Sequence, residues 1–128
     1  MSSAYWCVVI AAVLPYVWVA VAKGRPGYNN RNPRAWAARS DNHLVQRANA
    51  AHLNAFESFA PFAAGVVLAQ LAGVAAQTVT ALAIGFVVLR VLHGLLYLGD
   101  QPLLRSLSWL GGFACTLALL VLAALQAA

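Results

Sequence analysis

Residues 76–98 read AQTVTALAIGFVVLRVLHGLLYL, twenty-three positions carrying a single charge, Arg90. A helix of about 20 such residues crosses the roughly 30 Å hydrocarbon core of a bilayer, so this stretch predicts a membrane span. Its polar members Arg90, His93 and Tyr97 step by three and four, which places them on one helical face. Working outward, the short turn Gly99-Asp100-Gln101-Pro102 leads into a second apolar run, about 103–126, uncharged after Arg105. In the other direction, Ala72 to Ala75 separate the stretch from a run over about 43–71. There Arg47, Asn54, Glu57 and Pro61 step by seven, three and four, again on one face. A fourth run, about 4–22, opens the chain and contains no charge.

Composition agrees with this reading. The 128 residues are 62% hydrophobic and 9% charged, against about 45–50% and about 25% in soluble chains. That excludes a water-soluble globule and an intrinsically disordered chain, and two cysteines are too few for a secreted disulfide scaffold. A transmembrane barrel would need polar and apolar residues to alternate along each strand. The expectation is an all-α integral membrane protein, one domain over 1–128, with four spans at about 4–22, 43–71, 76–98 and 103–126. Short connections make sequential helices antiparallel, hence a four-helix bundle. Pro15 should kink the first span without ending it. Met1-Ser2-Ser3 supplies no positive n-region, so that span reads as a retained helix and not as a signal peptide.

Six of the eight basic residues, Lys23, Arg25, Arg31, Arg34, Arg39 and Arg47, fall between residues 23 and 47. The segment from Lys23 to about Asp41, rich in Gly, Pro, Asn and Arg, reads as the one extended loop. The positive-inside rule puts it in the cytoplasm, with Arg105 on the same side and both termini opposite. The net charge of +5 is thus a topology signal with attraction to anionic headgroups, not a nucleic-acid footprint. Cys7 and Cys115 fall at depths differing by roughly 12 Å, beyond disulfide reach, and read as free core residues.

Polar side chains in lipid-buried helices turn inward and find one another. In antiparallel neighbours, residues at equal depth have residue numbers of constant sum. Glu57 with Arg90 and Asn54 with His93 share that sum, so the two polar stripes should meet and Glu57 could pair with Arg90. Each residue also has a purely structural reading: polar glue for Glu57 and Arg90, an interfacial aromatic for Tyr97, a topology anchor for Arg105. His52 lies off the stripe and reads as a packing or interfacial residue. The three histidines lie on different segments with no second ligand at i+4, so no metal site is expected. Together the cations, carboxylate, amide, imidazole and phenol make a receptor for a charged, polar ligand meeting a lipid-soluble one.

Two motifs carry a family resemblance. One is the stretch from Arg47 to Phe62, RANAAHLNAFESFAPF, with its Arg, Asn-x-x-Glu and Pro. The other is Arg90-Val-Leu-His93-Gly-Leu-Leu-Tyr97-Leu-Gly followed by Arg105-Ser106. With the chain's size, four spans and basic first loop, they resemble the MAPEG family, membrane-associated proteins of eicosanoid and glutathione metabolism. The resemblance implies a homotrimer with glutathione as co-substrate, bound between subunits and open to the cytoplasm. It implies that Asn54, Glu57, Arg90, His93 and Tyr97 line the glutathione site, and that Arg105 and Ser106 act at the thiol. The pattern departs at Gln46, Ala50 and Leu53, where family members place an acidic residue or further arginines. The reaction so implied is transferase or peroxidase chemistry, attack of a glutathione thiolate on a lipophilic electrophile or hydroperoxide delivered through the bilayer. Thiolate is the reactive form, and a guanidinium favours it. Brevity and the lack of an eicosanoid-specific signature suggest detoxification at a cell membrane. The competing expectation is a non-catalytic lipid-binding or accessory protein of the same family, toward which the missing arginines point.

Overall fold

The computed structural model describes all 128 residues as helices joined by turns: α1 (Ser2–Lys23), α2 (Pro33–Arg39), α3 (His43–Leu71), α4 (Ala76–Leu98) and α5 (Pro102–Ala127). The four long helices fall on the four expected runs. Helix α2 was not expected, since the basic segment was read as loop. Proline at its first position and the alanines Ala35, Ala37 and Ala38 favour a short helix within that Gly- and Asn-rich stretch. Three helices, α1, α4 and α5, are long and apolar enough to cross a membrane. Helix α3 is the longest at 29 residues, but Arg47, Asn49, His52, Asn54 and Glu57 lower its hydropathy.

Local chemistry sets the helix ends. Asn42 Oδ1 accepts from the backbone N–H of Leu44 at 2.9 Å and of Val45 at 3.2 Å, capping α3. At the far end of α3, Gly73 takes φ +83° and the Val74 N–H returns to the Ala69 carbonyl at 2.9 Å. The turn between α4 and α5 uses the same device with Asp100 at φ 57° and the Gln101 N–H on the Leu96 carbonyl at 3.0 Å. Helices α1 and α3 run unbroken through Pro15 and Pro61.

Helices α3 and α4 pack on each other, with α1 and α5 lying against both. The core divides along the axis. Toward the α3–α4 turn, Phe62 and Phe86 stack with centroids 3.8 Å apart among Ala4, Cys7, Ala11 and Leu119. Midway, Leu14 and Trp18 of α1 close on Ala51 and Ala55 of α3. At the loop end, Ala22, Val45 and Ala48 meet Trp36 of α2. Small residues dominate these seams because they let helix backbones approach, which is how helices hold together without water to drive them. Only 28 of 128 residues are buried, and the outward faces carry Ile10, Val13, Ile84, Val88, Leu117 and Val121. Exposed apolar surface on that scale requires lipid or another chain against it.

Candidate functional site

The polar stripes of α3 and α4 face each other, and α5 closes over them. All seven residues singled out from the sequence line two adjoining recesses. Asn54, Glu57 and Arg90 line the inner one with Ser58, Trp109 and Thr116. Asn54, His93, Tyr97, Arg105, Ser106 and Trp109 line the outer one. Asn54 and Trp109 form the wall common to both.

Arg90 is 3% exposed, and its guanidinium donates to Asn54 Oδ1 at 2.7 Å. Its stem runs beside Gly112 of α5, where a β-carbon would sit 3.4 Å from Arg90 Cδ. The ion pair with Glu57 suggested by equal depth is therefore replaced by a hydrogen bond to a neutral amide. Glu57 lies three residues beyond Asn54, about 60° round the helix, and its side chain is exposed at the inner recess.

In the outer recess His93 is buried, and its Nδ1 has no hydrogen-bond partner. Buried polar nitrogens are almost always satisfied, so this atom is an exception within the recess wall. The His93 ring stands edge-on to Tyr97 with centroids 5.5 Å apart. On the other face of the turn, the Arg105 guanidinium lies 4.5 Å from the Tyr97 ring centroid, a cation–π contact that fixes both groups. The left-handed Asp100 makes this possible, because it reverses the chain tightly enough to bring residue 105 back over residue 97.

Other polar residues of the quoted motifs serve packing. Arg47 donates from Nε to the Leu98 carbonyl at 3.2 Å, satisfying an end group of α4. His52 Nδ1 lies 2.6 Å from the Pro15 carbonyl oxygen and joins α3 to α1, in keeping with the packing role expected for it. The sequence reading missed Trp109 and Phe113, whose rings stack at 5.1 Å beside the recesses. Their spacing of four from Arg105 puts all three on one face, the signal that could have revealed them.

This arrangement gathers two guanidiniums, a carboxylate, an amide, an imidazole, a phenol and the Ser106 hydroxyl around two adjoining recesses in an apolar bundle. Its excess of cationic over anionic groups suits an anionic polar molecule. No curated protein and no solved structure matches the chain. A sequence model described as the MAPEG family matches residues 3–125, almost the whole length, and the chain belongs to that family.

Proposed function

We propose that the protein is a glutathione-dependent membrane transferase or peroxidase that directs a thiolate onto lipophilic electrophiles. The observation that carries the reading is the meeting of Asn54, His93, Tyr97, Arg105 and Ser106 at one recess, next to Arg90 and Glu57. Glutathione has two carboxylates, one ammonium and a thiol. Arg90 suits a carboxylate and Glu57 the ammonium.

Arg105 is the group best suited to the thiol. Held over Tyr97, its positive charge favours the thiolate, and the Ser106 hydroxyl beside it can donate to the sulfur. Attack on an electrophilic carbon forms the carbon–sulfur bond and expels the leaving group with its electron pair. With a hydroperoxide, sulfur takes the terminal oxygen, the O–O bond breaks and the alcohol leaves. A second glutathione then reduces the oxidised sulfur, giving the disulfide and water. Trp109 and Phe113, exposed at the edge of the recesses, suit the apolar co-substrate arriving from the bilayer.

The working unit proposed is a homotrimer with four spans per chain, α3 being the fourth. The basic loop, Arg105 and the site mouth are cytoplasmic, and both termini lie opposite. Exposure of Glu57 at the midpoint of α3, on the open side of the inner recess, supports assembly, since a carboxylate among apolar helices calls for a covering subunit. Ultraviolet difference absorbance of the purified protein with glutathione tests the proposal, because bound thiolate has its own absorbance. A thiolate signal that saturates with glutathione is expected. No signal at millimolar glutathione would favour the non-catalytic lipid-binding or accessory role.

A further inference from the structure

Two pairs of aromatic rings in the chain lie nearly parallel, and the other ring contacts are edge-on. Phe62 and Phe86 form one pair, at 5°, and with 0% and 2% of their surface open they serve the core. Trp109 and Phe113 form the other, at 16°. These two keep 37% and 41% of their surface open, and both line the inner recess. A parallel pair one helical turn apart makes a single flat face, extended by about 6 Å along α5.

The place of this face in the site decides what it can serve. It begins one turn inward from Arg105, and Trp109 shares with Asn54 the wall common to both recesses. An electrophile reacting beside Arg105 therefore has Trp109 against it. Asn54 gives its oxygen to Arg90, which leaves its amino group as a donor. Farther in, Thr116 brings a hydroxyl to the same recess on a residue 2% exposed. The wall thus combines a flat, electron-rich face with hydrogen-bond donors. A saturated chain gains little from either. An electron-poor ring bearing carbonyl oxygens gains from both, because its face is attracted to the indole and its oxygens only accept.

We propose that the electrophile taken by this site is a lipid-soluble quinone, its ring on Trp109 and Phe113 and one carbonyl oxygen on the Asn54 amino group. The inference rests on the glutathione reading above. The thiolate beside Arg105 attacks an unsubstituted ring carbon and forms the carbon–sulfur bond. The π pair shifts onto the carbonyl oxygen, where the Asn54 N–H group stabilises the developing charge. That oxygen takes a proton from water, the attacked carbon releases its hydrogen as a proton, and the second oxygen is protonated. Thiol and quinone combine one to one. The ring is reduced to a hydroquinone thioether by the electron pair that the thiolate brings to the new bond, with no other reductant.

Two probes, 2-methyl-1,4-naphthoquinone and trans-2-nonenal, test this, since both add a thiol across a conjugated double bond but only the first has a ring. For the purified protein in detergent with glutathione, kcat/KM relative to the uncatalysed rate should favour the quinone by about tenfold or more. Trp109→Leu should lower that preference about tenfold, and Trp109→Phe should keep most of it. Without glutathione, the quinone should quench indole fluorescence saturably, and Trp109→Phe should remove the saturable part. Equal preference for the two probes, or a preference unmoved by Trp109→Leu, would overturn the proposal. So would saturable quenching retained in Trp109→Phe, which would put the ring elsewhere. A glutathione thiolate signal with no quinone preference would sink this proposal and leave the glutathione reading standing. Saturable quenching at Trp109 with no thiolate signal would overturn that reading and, with it, the addition step.

Discussion

An amide beside a guanidinium has no choice of orientation: arginine only donates, so Asn54 must turn its oxygen to Arg90. Its amino group is left as a donor for the recesses it lines, in keeping with a site for anions. Asn54→Asp should therefore keep the fold, since the carboxylate still accepts from Arg90, while repelling glutathione's carboxylates. Melting close to wild type with binding weakened about tenfold or more is expected, by thermal shift and calorimetry. Asn54→Leu should instead cost about 1–3 kcal/mol of stability, because the buried guanidinium loses its acceptor. A double-mutant cycle should show strong coupling of Arg90 to Asn54 and weak coupling to Glu57. Arg105 belongs to a different class. Its half-exposed position makes Arg105→Ala inexpensive in stability, yet the thiolate absorbance and most turnover should vanish, with Arg105→Lys intermediate. Wild-type turnover in Arg105→Ala would remove it from the mechanism. The charged and amide residues lining the two recesses were legible in the sequence because such groups stand out in an apolar helix. Their partners were less so: equal depth identified facing stripes, but which acceptor meets Arg90 depends on rotation about the axis, which residue spacing fixes only to within a neighbour.

At the scale of the helix, legibility was set by apolar length. The ends of the long helices were readable because turn residues and caps interrupt long uncharged runs. Helix α2 was not, because seven residues give too few turns for a periodic pattern and its neighbours Asn32 and Ser40 read as loop. The packing glycines were also silent. Gly94 of α4 looks like one more small residue, yet a β-carbon there would fall 2.0 Å from the Trp18 ring of α1. Gly94→Ala should cost about 1–3 kcal/mol by forcing that ring aside, measured by thermal unfolding in detergent. Trp18→Leu in the same chain should recover part of the loss. Equal unfolding temperatures for Gly94→Ala and wild type would mean that α1 and α4 are farther apart than described. Because Gly94 lies between His93 and the Tyr97 turn, the same change should also weaken glutathione binding.

For the whole molecule, the proposed trimer makes a direct prediction: native mass in mild detergent should be about three times that of the 13.5 kDa chain. A monomer under those conditions would count against a site shared between subunits. A reporter fused to the C-terminus should be active on the side opposite the basic loop. Glu57→Gln should strengthen insertion of the single chain while weakening the glutathione complex, since it removes the charge from both settings. The position of that carboxylate, exposed at the centre of the longest helix, also bears on the life of the newly made protein. A lone copy leaves the recess holding this carboxylate uncovered, which the proposed trimer would close, and an acid facing lipid at a helix centre costs about 2.5–3.5 kcal/mol. If the proposed trimer forms, the bilayer would thereby distinguish finished complexes from orphan chains without any dedicated factor. Surplus copies made beyond their partners should be shorter-lived in the cell than assembled ones, and Glu57→Gln should erase that difference in a pulse-chase experiment.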